Sequence, residues 1–331
     1  MRDIFRYYRK RVREGGKLYK RTVYGVAVCL GTIAGAVLAH SSGFGGQIQA
    51  TPGEQAYILP TPISSTGKTS PINEAIGPVA SDSLRPLPAM RDFGGRPKIV
   101  IIFDDIGLDA SAYTQLSMLP GPLTFSILPY AQDAEALAGD AKRKGHDVFL
   151  HLPMQPASNV TNAGPGALLV EDSPRVIRQK IARNLDSFSG YAGVNNHMGS
   201  LFTQDRQKMR IVLSEIDLRG YYFVDSVTSG RTVAATVAAE LGLTILSRDV
   251  FLDSDYTNLS ARIVRERLGE LEAIAQNRGY AIAIAHPYDT TIETIRPWLV
   301  SLEMRGFELV TVADLLEDKM PPETLSATAL R

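Results

Sequence analysis

From Lys98 onward, short apolar runs alternate with helix-length amphipathic stretches, and this alternation restricts the fold to a parallel α/β architecture. The first run, Ile99–Phe103 (IVIIF), is apolar at every position, as a strand covered on both faces requires. Comparable runs recur at Leu123–Leu128, Asp147–Leu152, Gly193–Asn196, Tyr221–Asp225, Thr244–Ser247, Ala281–Ala285 and Glu308–Thr311. The stretches between them carry helix-end signals. Gln132–Lys144 stops at Gly145, and Ser173-Pro174 offers a cap and a first-turn proline to Arg175–Phe188. Gln204–Arg219, Asn258–Arg278 and Thr290–Arg305 stop at Gly220, Gly279 and Gly306, with Pro297 expected to kink the last. No linker interrupts this series. It predicts one (β/α) barrel over residues 98–318, distorted and of seven to eight strands, with an open doubly wound sheet as the alternative. No glycine-rich phosphate loop follows the first strand, which argues against a nucleotide fold.

The amino-terminal third has a different composition. The whole chain balances 35 basic against 35 acidic residues, yet nine Lys/Arg fall within residues 1–21, against Asp3 and Glu14 alone. The barrel region is therefore acidic, which excludes a basic body gripping nucleic acid through phosphate. An uncharged run, Thr22–Ala39, follows and approaches the length of a bilayer span. The positive charges before it predict a cytoplasmic basic segment (1–21) and a single-pass inner-membrane anchor (22–40), with the barrel in the periplasm. The alternative is a signal peptide cleaved near Ala39, leaving a secreted periplasmic protein. Residues 41–97 contain 27 Pro, Gly, Ser or Thr with no strand or helix period, and read as a disordered tether; 319–331 read as a tail. The one cysteine, Cys29, excludes a disulfide framework and a thiolate zinc site, so a metal would have to sit on histidine and carboxylate.

Barrel chemistry collects at the carboxyl ends of the strands. Those ends carry Asp104-Asp105, His151, His197, Asp225 and His286, while the sixth strand runs out into Arg248-Asp249 and Asp253. Three of the five histidines stand at strand ends. Each residue also has a structural reading: Asp104-Asp105 as a turn or helix cap, His151 as a core histidine alternating with Phe149, His286 as a strand cap. His146 and His40 read as incidental. One carboxylate with two imidazoles is a common set for catalytic zinc and similar divalent ions, and a second carboxylate beside it can serve as general base. The residue types suffice for metal-assisted hydrolysis of an amide or ester.

The segments IVIIFDDIG (99–107), LTFSILPY (123–130), DVFLHLPMQP (147–156), GVNNHMGS (193–200), YYFVDS (221–226), RDVFLDSD (248–255) and AIAIAHP (281–287), in this order, resemble the divergent polysaccharide deacetylases of the glycoside hydrolase/deacetylase β/α-barrel superfamily. The resemblance covers about residues 97–317. It implies a hydrolase that removes acetyl from N-acetylated sugars of an envelope polysaccharide such as peptidoglycan, with a divalent ion, zinc by expectation. It assigns Asp104 as general base, Asp105 and His151 as metal ligands and His286 as acid. Two positions depart from the pattern. Gln155 stands where the second metal histidine is usual, and Asn195-Asn196-His197-Met198-Gly199 replaces an arginine-proline motif. His197 is expected to supply the missing ligand, Arg248 to orient Asp104, and Asp225 and Asp249 to support the site. The rival reading is a non-catalytic envelope protein that binds glycan in the same groove or recruits a cell-wall enzyme.

Overall fold

The computed structural model describes residues 95–319. The basic segment, the anchor or signal segment, the tether up to residue 94 and the tail past Lys319 lie outside the described residues. Among the described residues no helix is long and apolar enough to cross a membrane.

The chain runs β1 (Lys98–Ile106), α1 (Ala110–Leu116), β2 (Thr124–Ile127), α2 (Ala134–Arg143), β3 (Asp147–Met154), α3 (Pro174–Leu185), β4 (Gly193–Met198), α4 (Arg206–Leu218), β5 (Tyr222–Asp225), α5 (Ala234–Leu241), β6 (Leu246–Ser247), β7 (Val250–Phe251), α6 (Ala261–Arg278), β8 (Tyr280–Ala285), α7 (Asp289–Ser301), β9 (Glu308–Leu309) and α8 (Val312–Lys319). Every strand pairing is parallel, and the sheet follows the order β6-β5-β4-β3-β2-β1-β8-β7. The two ends of this path are joined by one segment. Arg248 N–H bonds the Asp225 carbonyl on one edge, and Asp249 N–H bonds the Ile282 carbonyl on the other. Leu246–Phe251 thus divides its length between β5 and β8, and this is where the barrel is distorted. β9 bonds the first two residues of β1, on the edge that β2 occupies from Ile102 onward.

Alternation along the strands sorts the core into two layers. Val100, Ile102, Phe149, Val224, Leu246, Ile282 and Ile284 fill the barrel interior together with Val312, Leu315 and Leu316 of α8, which closes the amino end. Their neighbours Ile99, Ile101, Phe103, Val148, Leu150, Val194, Ala281, Ala283 and Ala285 face the helices. Truncating a fully buried member such as Ile101 to Ala costs about 2–5 kcal/mol. Gly193 is small of necessity, because a Cβ there would collide with the Phe149 ring.

The helix ends follow the sequence signals in part. Ser173 caps α3 by accepting from Val176 N–H, with Pro174 in the first turn, and Gly279 ends α6 in a left-handed conformation. Pro297 lies inside α7. Helices α1, α5 and α8 lay outside the sequence reading: α1 has seven residues and α5 (AATVAAEL) is apolar along most of its length, whereas α8 shows its period in Val312, Leu315 and Leu316. The aspartate that caps α1 is Asp109, which accepts from Ser111 and Ala112 N–H, so the turn-or-cap reading of Asp104-Asp105 does not hold.

Candidate active site

Asp104 and Asp105 are the seventh and eighth residues of β1, where ideal alternation would send them to opposite faces. The register with β2 shifts between Phe103 and Ile106, a bulge, and Asp105 takes a φ of 60°. The bulge turns both carboxyls toward the mouth. Two other non-glycine residues have left-handed φ among the described residues: Met198 at the end of β4 and Val227 just past β5. Asp105 belongs to the carboxyl and imidazole cluster and Met198 directly follows His197, while Val227 lies in the turn after β5; over-determined backbone of this kind commonly marks function.

Five of the expected site residues converge there. His151 Nε2 lies 3.3 Å from Asp105 Oδ1 and 3.6 Å from Asp104 Oδ2, and His197 Nδ1 lies 2.8 Å from Asp105 Oδ1. One ligand atom from each of Asp105, His151 and His197 falls within 4.8 Å of the others, and all three residues are buried. A buried set of one carboxylate and two imidazoles at that spacing fits a divalent cation. His286, directly after β8, places Nε2 3.9 Å from Asp105 Oδ2.

The two adjacent carboxyls are driven apart electrostatically. Burial raises both, but at Asp105 the nearby His197 and the hydrogen bonds from His151 and His197 win and hold it well below the usual carboxylate range. At Asp104 burial wins over His151, His286 and the Asn195 amide, and the carboxyl is raised. One is thereby suited to stay charged as a ligand and the other to take a proton.

The interior faces of the strands also supply partners that the sequence reading did not assign. Asn195 lies one alternation before His197 on β4; it donates to Asp104 Oδ1 at 2.8 Å and its Oδ1 meets His151 Nδ1 at 2.8 Å. Asp253 accepts from the His286 backbone N–H and from Thr291, and lies 2.9 Å from His286 Nδ1. The His286 ring stacks on Phe251 at 5.3 Å and meets Tyr288 at 5.7 Å. Burial works against its charge, but Asp253, then Asp105 and Asp104, outweigh it and raise the imidazole to about 9. The period of β4 and the acidic run LDSD were the available signals for these two residues.

The expected supporting residues are placed otherwise. Asp225 alternates with the outward-facing Phe223, so its carboxylate accepts from Val227 N–H and Thr232 Oγ1 and holds the turn after β5 instead of reaching the mouth. Asp249 pairs with Arg278 at the end of α6 and accepts from Ile282 N–H, fastening β7 to β8. Arg248 donates to the carbonyls of Ser226 and Val227 and lies over the Phe251 ring at 4.6 Å. The hydrogen bond to Asp104 comes from Asn195, not from Arg248. Gln155 turns its Oε1 to Val170 N–H at 2.7 Å and so secures the loop before α3. His146 accepts from Leu123 N–H against Phe125, a structural role.

A parallel (β/α) barrel that gathers two carboxyls and three imidazoles at its carboxyl end has the donor set of a metal-dependent β/α-barrel site. The chain belongs to the divergent polysaccharide deacetylase family, whose model matches residues 101–316. It is 31% identical over 228 residues to an uncharacterized protein of Haemophilus influenzae, covering 68% of this chain and 80% of that one. It is likewise 31% identical over 221 residues to the uncharacterized protein YibQ of Escherichia coli, covering 67% of this chain and 68% of the relative. Among solved structures, an uncharacterized protein of Agrobacterium tumefaciens superposes with a TM-score of 0.64 at 26% identity, covering 69% of this chain and 92% of that one.

Proposed function

We propose that this chain is a metal-dependent hydrolase removing acetyl groups from N-acetylated sugars of an envelope polysaccharide such as peptidoglycan. The observation that carries the reading is the convergence of Asp105, His151 and His197, flanked by Asp104 on one side and His286 on the other. A divalent cation held by that triad, zinc in the first instance, would supply a Lewis acid that polarises the acetyl carbonyl and acidifies water.

The chain's own groups then account for the protons. Asp104, raised by burial and pinned at Oδ1 by Asn195, keeps Oδ2 to take a proton from the attacking water. His286 is held by Asp253 through Nδ1, so Nε2 presents the proton that the departing amine requires. As the new C–O bond forms and the C–N bond breaks, one proton passes to Asp104 and one leaves His286, giving acetate and a free amine. The basic amino terminus followed by an uncharged run supports an inner-membrane anchor with the barrel facing the envelope polysaccharide.

Gln155 at the usual ligand position favours a second reading, a glycan-binding or recruiting protein without turnover. Acetate release from N-acetylglucosamine oligomers by the zinc-loaded full chain separates the two. The hydrolase reading expects release that Asp104→Asn lowers about 10²–10⁴-fold. Oligomer binding without acetate would favour the second.

A further inference from the structure

The amide of Asn195, on β4, reaches three other strands and the end of a fourth. Its Nδ2 donates to Asp104 Oδ1 of β1 at 2.8 Å and to Ser226 Oγ past β5 at 3.3 Å. Its Oδ1 accepts from Ser126 Oγ of β2 and lies 2.8 Å from His151 Nδ1 of β3. The side chain is fully buried, so no water competes for these four positions. The orientation of the amide follows from chemistry. Nδ2 is the amide atom 2.8 Å from Asp104 Oδ1 and also within reach of Ser226 Oγ, while the opposite amide atom accepts from Ser126 Oγ, so the NH2 group faces Asp104. The carbonyl oxygen then faces His151, and a carbonyl oxygen accepts only, so Nδ1 of His151 must carry a proton. Without a cation, Nε2 faces Asp105 Oδ1 at 3.3 Å with a proton between them; because Asn195 holds the proton on Nδ1, Nε2 is the nitrogen that gives up its proton when a cation binds.

We infer that Asn195 is a positioning residue that couples the base to the metal ligand: one amide fixes the proton-accepting oxygen of Asp104 and locks His151 in the tautomer whose Nε2 can bind a cation. This deepens the hydrolase reading and rests on it for the roles of Asp104 and His151. Partners of this kind on a ligating histidine typically change metal affinity by 10–100-fold when removed. Without Asn195, the carboxylates opposite Nε2 would draw the ring proton to that nitrogen and oppose ligation.

Two substitutions separate the two duties. Asn195→Asp keeps an acceptor for His151 Nδ1 but replaces the donor to Asp104 with a like charge. Asn195→Leu removes both. Zinc affinity of the full chain should stay within a few-fold of wild type in Asn195→Asp and fall about 10–100-fold in Asn195→Leu. The kcat for acetate release should fall about 10²-fold or more in both, with KM little changed in Asn195→Asp. Zinc lost equally in both variants, or wild-type kcat in Asn195→Asp, overturns the inference. A readout independent of zinc and turnover is the ¹⁵N spectrum of the neutral His151 ring in the metal-free full chain. A proton on Nδ1 in wild type, moving to Nε2 in Asn195→Leu, supports the lock even if the chain releases no acetate. A proton on Nε2 in wild type overturns the lock whatever becomes of the hydrolase reading.

Discussion

The two ends of the barrel each hold a carboxyl that low polarity pushes up, and at only one of them do imidazoles converge on it. At the amino end Asp147, the first residue of β3, is raised to about 6 by burial, against hydrogen bonds from the N–H groups of Val148 and Ala313. Its surroundings are the start of α8, with Asp314 and the Thr124 hydroxyl that accepts from Val312 N–H. At the carboxyl end Asp104 is also raised by burial, but it faces His151, His286 and the Asn195 amide. A displaced titration therefore does not mark a site by itself. Convergence of imidazoles aimed inward by strand alternation and of a second carboxyl turned inward by the bulge in β1 is what distinguishes the mouth from the floor.

The largest expected effect is at the mouth. His151→Ala or His197→Ala should abolish zinc binding and reduce acetate release to the background of the buffer, readable by metal titration and by an acetate assay on one preparation. Asp104→Asn comes next. It should retain the ion and lose about 10²–10⁴-fold in kcat, so that base and ligand separate experimentally. Loss of the ion in Asp104→Asn would show that the two carboxyls act as one ligand group.

Asp253→Asn should cost less, about 10–100-fold, and should change the shape of the pH profile. His286 is raised because Asp253 favours its charged form, so the acid stays protonated up to about pH 9. Removing that charge lets the proton leave at lower pH, and the alkaline limb of kcat/KM should move toward neutrality. An unmoved limb would assign it to another group.

The smallest effect on turnover is expected at the floor. Asp147→Asn should leave kcat unchanged and alter stability instead. A carboxyl bound to its proton more tightly in the folded state stabilises the fold below its unfolded pKa, and that contribution is lost as pH rises through about 6. The asparagine variant avoids the loss, so its melting temperature should exceed wild type at pH 8 and approach it at pH 4. The gain is at most about 3 kcal/mol. A drop in acetate release in this variant would break the contrast between the two ends.

Much of this was legible in the sequence, and for physical reasons. Strands covered on both faces announce themselves as apolar runs, so β1 and β8 were readable, and with them the positions of Asp104 and His286; β3 was readable as well, but it runs on to Met154, so His151 lies inside the strand instead of at its end. What could not be read was direction at positions where alternation is broken or the strand is very short. The bulge that aims both aspartates inward leaves no mark in IVIIFDDIG. The crossing from β6 to β7 between Arg248 and Asp249 hides which of the two faces the mouth, and neither serves as expected. Asp225 stood at a strand end, but its parity with Phe223 sends it outward; counting alternation from the apolar residues would have shown this. Asn195 and Asp253 stood in the motifs but received no role, because an amide or an extra acid reads as loop chemistry until the geometry supplies its partners.

The most direct test of the account is a zinc titration of the metal-free full chain, run beside His197→Ala. The account predicts one tight site per chain in the wild type and none in the variant, since His197 replaces the ligand that Gln155 cannot provide. A wild-type chain that takes up no divalent ion, or one whose site survives His197→Ala, would contradict it.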